Sequence, residues 1–196
     1  MGEGWEVVSR LRHPEAVGWE PHGWTFLIMP HRNATHCPLC GSSLEAADVE
    51  GRQRPRCSGC GFVYFFNPAS AAAGFVLDAA GGQVLLVRRR IAPYKGSWAL
   101  PAGYQEIDEE PQAAVQREVR EETGLEVEVQ RLLDVVWVGD DPRKPANVII
   151  YLCKPVGGEL RAASDASEVG WFPMTELPED IGFGNRELIA RFLREE

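Results

Sequence analysis

No apolar run in this 196-residue chain approaches the roughly 18 residues that a membrane-spanning helix needs; the longest, such as Val148 to Cys153, are far shorter. The first ten residues, MGEGWEVVSR, lack the basic flank and apolar stretch of a secretory signal. Glu6 stands where myristoylation requires Ser or Thr. With neither export signal nor anchor, the cytoplasm is the expected compartment and a membrane is not an expected partner. Positive charge is also in short supply, since 20 Lys and Arg face 29 Asp and Glu for a net charge of −9. Proteins that bind nucleic acid unspecifically neutralise phosphates with an excess of Lys and Arg. This chain has the opposite balance, so nucleic acid is not an expected partner.

What is present is an ordinary globular composition, with 44% apolar and 25% charged residues. The acid excess is uneven. Residues 1–66 carry six basic and seven acidic side chains, whereas residues 67–196 carry fourteen and twenty-two. Gly103–Leu125 alone holds seven acids and two arginines. The chain reads as three parts: 1–35, 36–66 and 67–196.

Residues 1–35 are rich in Trp, His and Gly, with one strand-like run, Trp24–Met29, and no chemical motif. Scattered aromatics of this kind are expected to pack on the rest of the protein. Residues 36–66 hold four of the five cysteines as Cys37-Pro-Leu-Cys40-Gly and Cys57-Ser-Gly-Cys60-Gly, with sixteen residues between the pairs. A two-residue spacer lets a tight turn aim both sulfurs at one point, and Gly41 and Gly61 suit the positive φ that follows. Two such turns make a four-thiolate zinc ribbon, a closed and therefore structural site. Two disulfides or a redox pair are the competing readings, and disulfides suit exported chains. Cys153 stands alone in an apolar run and reads as a small buried hydrophobe.

From Asn67 onward the pattern is mixed α/β. Ala72–Leu77, Val84–Val87, Val127–Val138, Val148–Leu152 and Val169–Phe172 read as strands, with turns at Ala79–Gly82 and Gly139–Pro142. Leu188, Ile189, Phe192 and Leu193 give Asn185–Arg194 the spacing of an amphipathic helix. A second helix is expected over Pro111–Thr123, with proline in the first turn and Gly124 as its stop. Inside it Glu118, Glu121 and Glu122 stand at i, i+3 and i+4, one face within one turn. Like charges at that spacing oppose helix formation by a few tenths of a kcal/mol per pair. Either the face is simply solvated, or a hard cation such as Mg²⁺ or Mn²⁺ sits among the carboxylates.

A longer pattern decides between those readings. Gly103, Glu109, Arg117, Glu118, Val119, Glu121, Glu122, Gly124 and Leu125 resemble the Nudix box at every position. The lead-in Trp98–Gly103 and the later Glu168–Phe172 resemble the family as well, and a four-cysteine ribbon ahead of such a domain resembles its NADH pyrophosphatase branch. The resemblance implies an α/β/α sandwich with a mixed sheet, preceded by the small zinc ribbon at Cys37, Cys40, Cys57 and Cys60. It implies Mg²⁺ or Mn²⁺ on Glu118, Glu121 and Glu122, with a backbone carbonyl at Ala102 or Gly103 completing the shell. Glu118 is either a ligand or the base that activates water. Arg117 and Glu109 are expected to pair and hold loop to helix. Glu106 and Glu168 are either a further ligand or base, or plain surface groups.

The implied reaction is Mg²⁺-dependent hydrolysis of the pyrophosphate bond in a nucleoside diphosphate derivative, by an enzyme that is often a homodimer in this family. The Ser-Gln-Pro-Trp-Pro-Phe-Pro stretch that NADH pyrophosphatases carry after the box is missing; the region reads Val135-Val-Trp-Val-Gly-Asp-Asp-Pro142-Arg143-Lys144-Pro145. ADP-ribose hydrolases carry a proline past the box, and Pro142 stands seventeen residues after Leu125. ADP-ribose, or a related dinucleotide such as NADH or FAD, is therefore the expected substrate. Arginines 88–90 are set to hold the distal phosphate or merely to solubilise a strand end. Trp137 is expected in the core, with stacking on a base as its other reading. A nucleotide sensor that does not cleave, and a ribbon adaptor with incidental hydrolysis, are the rival functions.

Overall fold

The computed structural model describes residues 34–139 and 144–195. The strand-like run Trp24–Met29 and Pro142 lie outside them. The cysteine segment forms a hairpin of β1 (Leu44–Val49) and β2 (Arg52–Cys57), flanked by the two cysteine turns. Gly41 and Gly61 close those turns at φ 74° and 77°.

The remainder contains β3 (Ala69–Val76), β4 (Gln83–Arg89), β5 (Trp98–Ala99), β6 (Ala102–Tyr104), helix α1 (Pro111–Thr123), β7 (Leu125–Val138), β8 (Ala146–Gly158), β9 (Ala166–Pro173) and helix α2 (Asn185–Glu195). A mixed sheet runs β6-β3-β8-β7 and a second runs β5-β4-β9. β3 pairs parallel with β8 and is buried along nearly its whole length, which its small apolar residues allow. α1 lays Ala114, Val115 and Val119 on Ala72, Val76 and Leu85. α2 lays Leu188 and Ile189 on Phe75 and Leu86. Neighbouring residues Leu85 and Leu86 thus point to opposite helices, which makes three layers, α/β/α.

β8 runs well past Leu152, where the expected strand ends. β3 stops at Val76 opposite Cys153, so among the described residues β7 is the one strand beside β8 at Pro155. A proline on an open edge loses no ladder bond. Trp137 corrects a second expectation. It lies at the far end of β7 on the sheet face that α1 covers only near the start of that strand, and it is 66% exposed. Cys153 is buried at 1% exposure, and burial pushes its thiol up to about 12, as a small hydrophobe.

Candidate active site

The Gly103–Leu125 segment wraps one end of the sandwich. β6 carries Ala102 and Gly103 beside β3, and α1 brings its three glutamates over them. Gly103 is needed for this approach, because a Cβ there would sit 2.2 Å from the Glu118 carboxylate. Glu118, Glu121 and Glu122 all line a single cavity of about 400 Å³, together with Ala102, Gly103 and Glu106.

The three carboxylates differ in environment. Glu122 is 4% exposed and accepts a hydrogen bond from the Ala102 backbone N–H at 3.0 Å. Burial pushes its carboxyl up to about 8, with Glu118 and Asp165 adding to the rise and Arg89 opposing it. Burial likewise raises Glu118, against the pull of Arg117. Glu121 is half exposed. Such oxygen-rich, partly desolvated groups fit a hard divalent cation, whose charge would offset the cost of keeping them ionised.

Arg117 ties the segment together. Its guanidinium donates to Glu109 at 2.6 and 3.0 Å, to Glu118 at 2.6 Å, to Glu121 at 3.3 Å and to the Tyr104 carbonyl at 3.0 Å. The Arg117 hydrogen bonds hold the Glu109 carboxyl at about 2, well below the usual carboxylate range. A depressed carboxyl contributes stability above its unfolded value and loses it as pH falls through the folded one. Acid titration of the metal-free protein should therefore show a loss of melting temperature between about pH 4.5 and pH 2. Glu109→Gln should flatten that limb in a calorimetric pH series; an unchanged limb would show that the pair does not brace the loop.

The other expected residues separate clearly. Glu168 faces Arg88 across β4 and β9 in an exposed ion pair of 2.8 Å, away from the cavity lining. Arg88 also donates to the Gly96 carbonyl and Arg90 to that of Ala166. Of the three arginines only Arg89 lines the cavity, with its Nε donating to the Pro93 carbonyl at 2.8 Å. Val136 and Val138 face the cavity while Trp137, between them, faces the opposite side of the sheet. The cavity also gathers Ser164 and Asp165 from the β8–β9 connection and Phe183, Gly184 and Asn185 from the entry to α2. No spacing signal marks these, because each is brought in by a loop distant in sequence.

The four cysteine sulfurs lie within 4.8 Å of one another, the only such group of metal-ligand atoms among the described residues. Cys37 and Cys60 are 3.7 Å apart and Cys40 and Cys57 3.4 Å. A disulfide needs about 2.05 Å, whereas a tetrahedron with Zn–S bonds of about 2.3 Å has edges of about 3.8 Å. Backbone N–H groups of Leu39, Gly59 and Cys60 point at Cys37 or Cys57 sulfur at 3.4 Å, as they would at thiolates. The donor set fits zinc.

The three-layer sandwich sets a glutamate-bearing helix over a cavity at one end of the sheet. Residues 68–192 match the NUDIX domain model, and the chain belongs to the Nudix hydrolases. It is 37% identical over 131 residues to an ADP-ribose pyrophosphatase of Methanocaldococcus jannaschii, covering 66% of this chain and 76% of that protein. It is 30% identical over 162 residues to the NAD-capped RNA hydrolase NudC of Stutzerimonas stutzeri, covering 81% of this chain but 54% of that protein. Among solved structures, a NUDIX hydrolase from Nitrosomonas europaea superposes with a TM-score of 0.73 at 27% identity, covering 83% of this chain and 92% of the other.

Proposed function

We propose that this protein hydrolyses the pyrophosphate bond of ADP-ribose or a related dinucleotide such as NADH or FAD, with Mg²⁺ or Mn²⁺ held by Glu118, Glu121 and Glu122 beside the Ala102 backbone. The observation that carries the reading is the meeting of half-buried Glu118 and buried Glu122 with Arg89 in one cavity. A divalent cation bound there supplies Lewis acidity and lowers the pKa of coordinated water. The chain's own residues do the rest. Arg117 holds Glu118 and the Glu109 loop, so the helix face keeps its aim. Arg89 receives the distal phosphate, where a guanidinium offers charge-assisted bonds to anionic oxygens. Glu118 or Glu106 accepts the proton of the attacking water, both being carboxylates in the same cavity. The identity to an ADP-ribose pyrophosphatase supports ADP-ribose as substrate. Zinc at the four cysteines is structural in this reading, and unbonded sulfurs suit the reducing cytoplasm.

Formation of AMP from ADP-ribose, NADH and FAD, and of mononucleotide products from a dinucleoside polyphosphate, in Mg²⁺ tests the proposal. ADP-ribose should give the highest kcat/KM. Arg89→Ala should raise KM for it by about tenfold or more, since a hydrogen bond to a charged group is worth about 1.5–3 kcal/mol. Absence of turnover on the whole panel would favour the sensor; a KM unchanged by Arg89→Ala would remove that arginine from the site.

A further inference from the structure

Arg89 is held from more than one side, and the groups that hold it carry unusual backbone conformations. Its Nε donates to the Pro93 carbonyl, and its own backbone bonds Ser97 and Gly96. Its guanidinium carbon lies 5.0 Å from the centroid of the Phe183 ring. Phe183 in turn packs against Tyr94, centroid to centroid 4.6 Å with planes at 60°. Both aromatics sit in the left-handed region at φ 57°. That region is a genuine outlier for bulky side chains, and it persists only where the surroundings over-determine it. Tyr94 lies so close over Gly182 that a Cβ there would meet its ring at 3.0 Å. Two strained turns, one after β4 and one before α2, thus press two rings together beside a single arginine.

This arrangement has little value as packing alone. Phe183 is half-buried and lines the cavity, with its ring against the Arg89 guanidinium and its backbone left-handed. We infer that Phe183 is a positioning residue: its ring, backed by Tyr94, holds the Arg89 guanidinium in the cavity in the orientation that receives the substrate's distal phosphate. A long arginine otherwise loses rotamer freedom on binding an anion, at a cost that a stacked guanidinium has already met. The effect falls on substrate capture and leaves the water-activating carboxylates alone. This inference rests on the proposed role of Arg89.

The test is a double-mutant cycle on the full-length, zinc-loaded protein with ADP-ribose and Mg²⁺, comparing wild type, Phe183→Leu, Phe183→Tyr, Arg89→Ala and Arg89→Ala/Phe183→Leu. Leucine keeps apolar bulk and removes the π face; tyrosine keeps both. Phe183→Leu should raise KM about fivefold, the scale of one cation–π contact, with kcat within about twofold. Phe183→Tyr should restore the low KM. In the Arg89→Ala background, Phe183→Leu should change KM no further. Melting temperatures of each variant separate a folding defect from a binding one. A KM unmoved by Phe183→Leu, or an equal rise with and without Arg89, would overturn the clamp. If Arg89→Ala alone leaves KM unchanged, the phosphate role of Arg89 fails and takes the clamp with it; if wild type shows no turnover, the proposed reaction is what fails.

Discussion

Glu122→Gln should lower turnover by about a thousandfold or more, because a metal's stabilisation of the transition state is worth several kcal/mol and each 1.36 kcal/mol is tenfold. The same substitution should leave the metal-free protein as stable as before. Glutamine has the shape of glutamate, and its carbonyl can still accept the Ala102 N–H that now bonds Glu122. It also removes a carboxyl whose ionisation is opposed by burial. The informative contrast lies in the response to Mg²⁺. Wild type should gain melting temperature as Mg²⁺ is added, since a ligand that binds only the folded state stabilises it. The variant should gain little. Comparable turnover in the two proteins would place the metal, or the chemistry, elsewhere.

Cys57→Ser should remove one bound zinc per chain and unfold the hairpin around it. Among the described residues little else holds the hairpin. It is two-stranded, and within residues 36–66 only Cys37 and Cys57 are buried. An isolated two-stranded hairpin is marginal in water. Structural zinc binding is worth on the order of 10 kcal/mol at neutral pH, and in such small modules that binding energy is the folding energy. Metal analysis should therefore fall from one zinc to near zero, and amide protection should vanish from Leu44–Val49 and Arg52–Cys57. Protected amides in a zinc-free protein would show that packing alone supports the ribbon.

Much of the fold was legible because its signals are local. Helix α1 carries its own start at Pro111 and stop at Gly124, and its bounds match the expectation residue for residue. The long strands β7 and β8 announce themselves by β-branched content. Strands β5 and β6 hold two and three residues and leave no periodicity to read. They matter nonetheless, because β6 is the strand that sets Ala102 and Gly103 under Glu118 and Glu122.

Trp137 shows where local reading stops. A tryptophan in a β-rich stretch is expected in the core, but burial depends on whether a helix covers its face of the sheet, and α1 does not extend that far. The arginine triplet makes the same point. Three adjacent, identical side chains are indistinguishable in sequence, yet Arg88 is taken by Glu168, Arg90 by a backbone carbonyl, and Arg89 by the cavity.

By itself, then, the amino-acid order determined the groups that act through neighbours a few residues apart, three carboxylates on one helical turn and the two cysteine turns, while the Arg117–Glu109 brace was implied by the family resemblance. Tertiary structure alone decided which arginine faces the carboxylates, that Asp165 and Phe183 join them, and that Glu168 does not. The physical reason is distance along the chain. Spacing constrains side chains within a turn or a hairpin, whereas residues some 80 positions apart, such as Arg88 and Glu168, meet only where the packed layers bring their loops together.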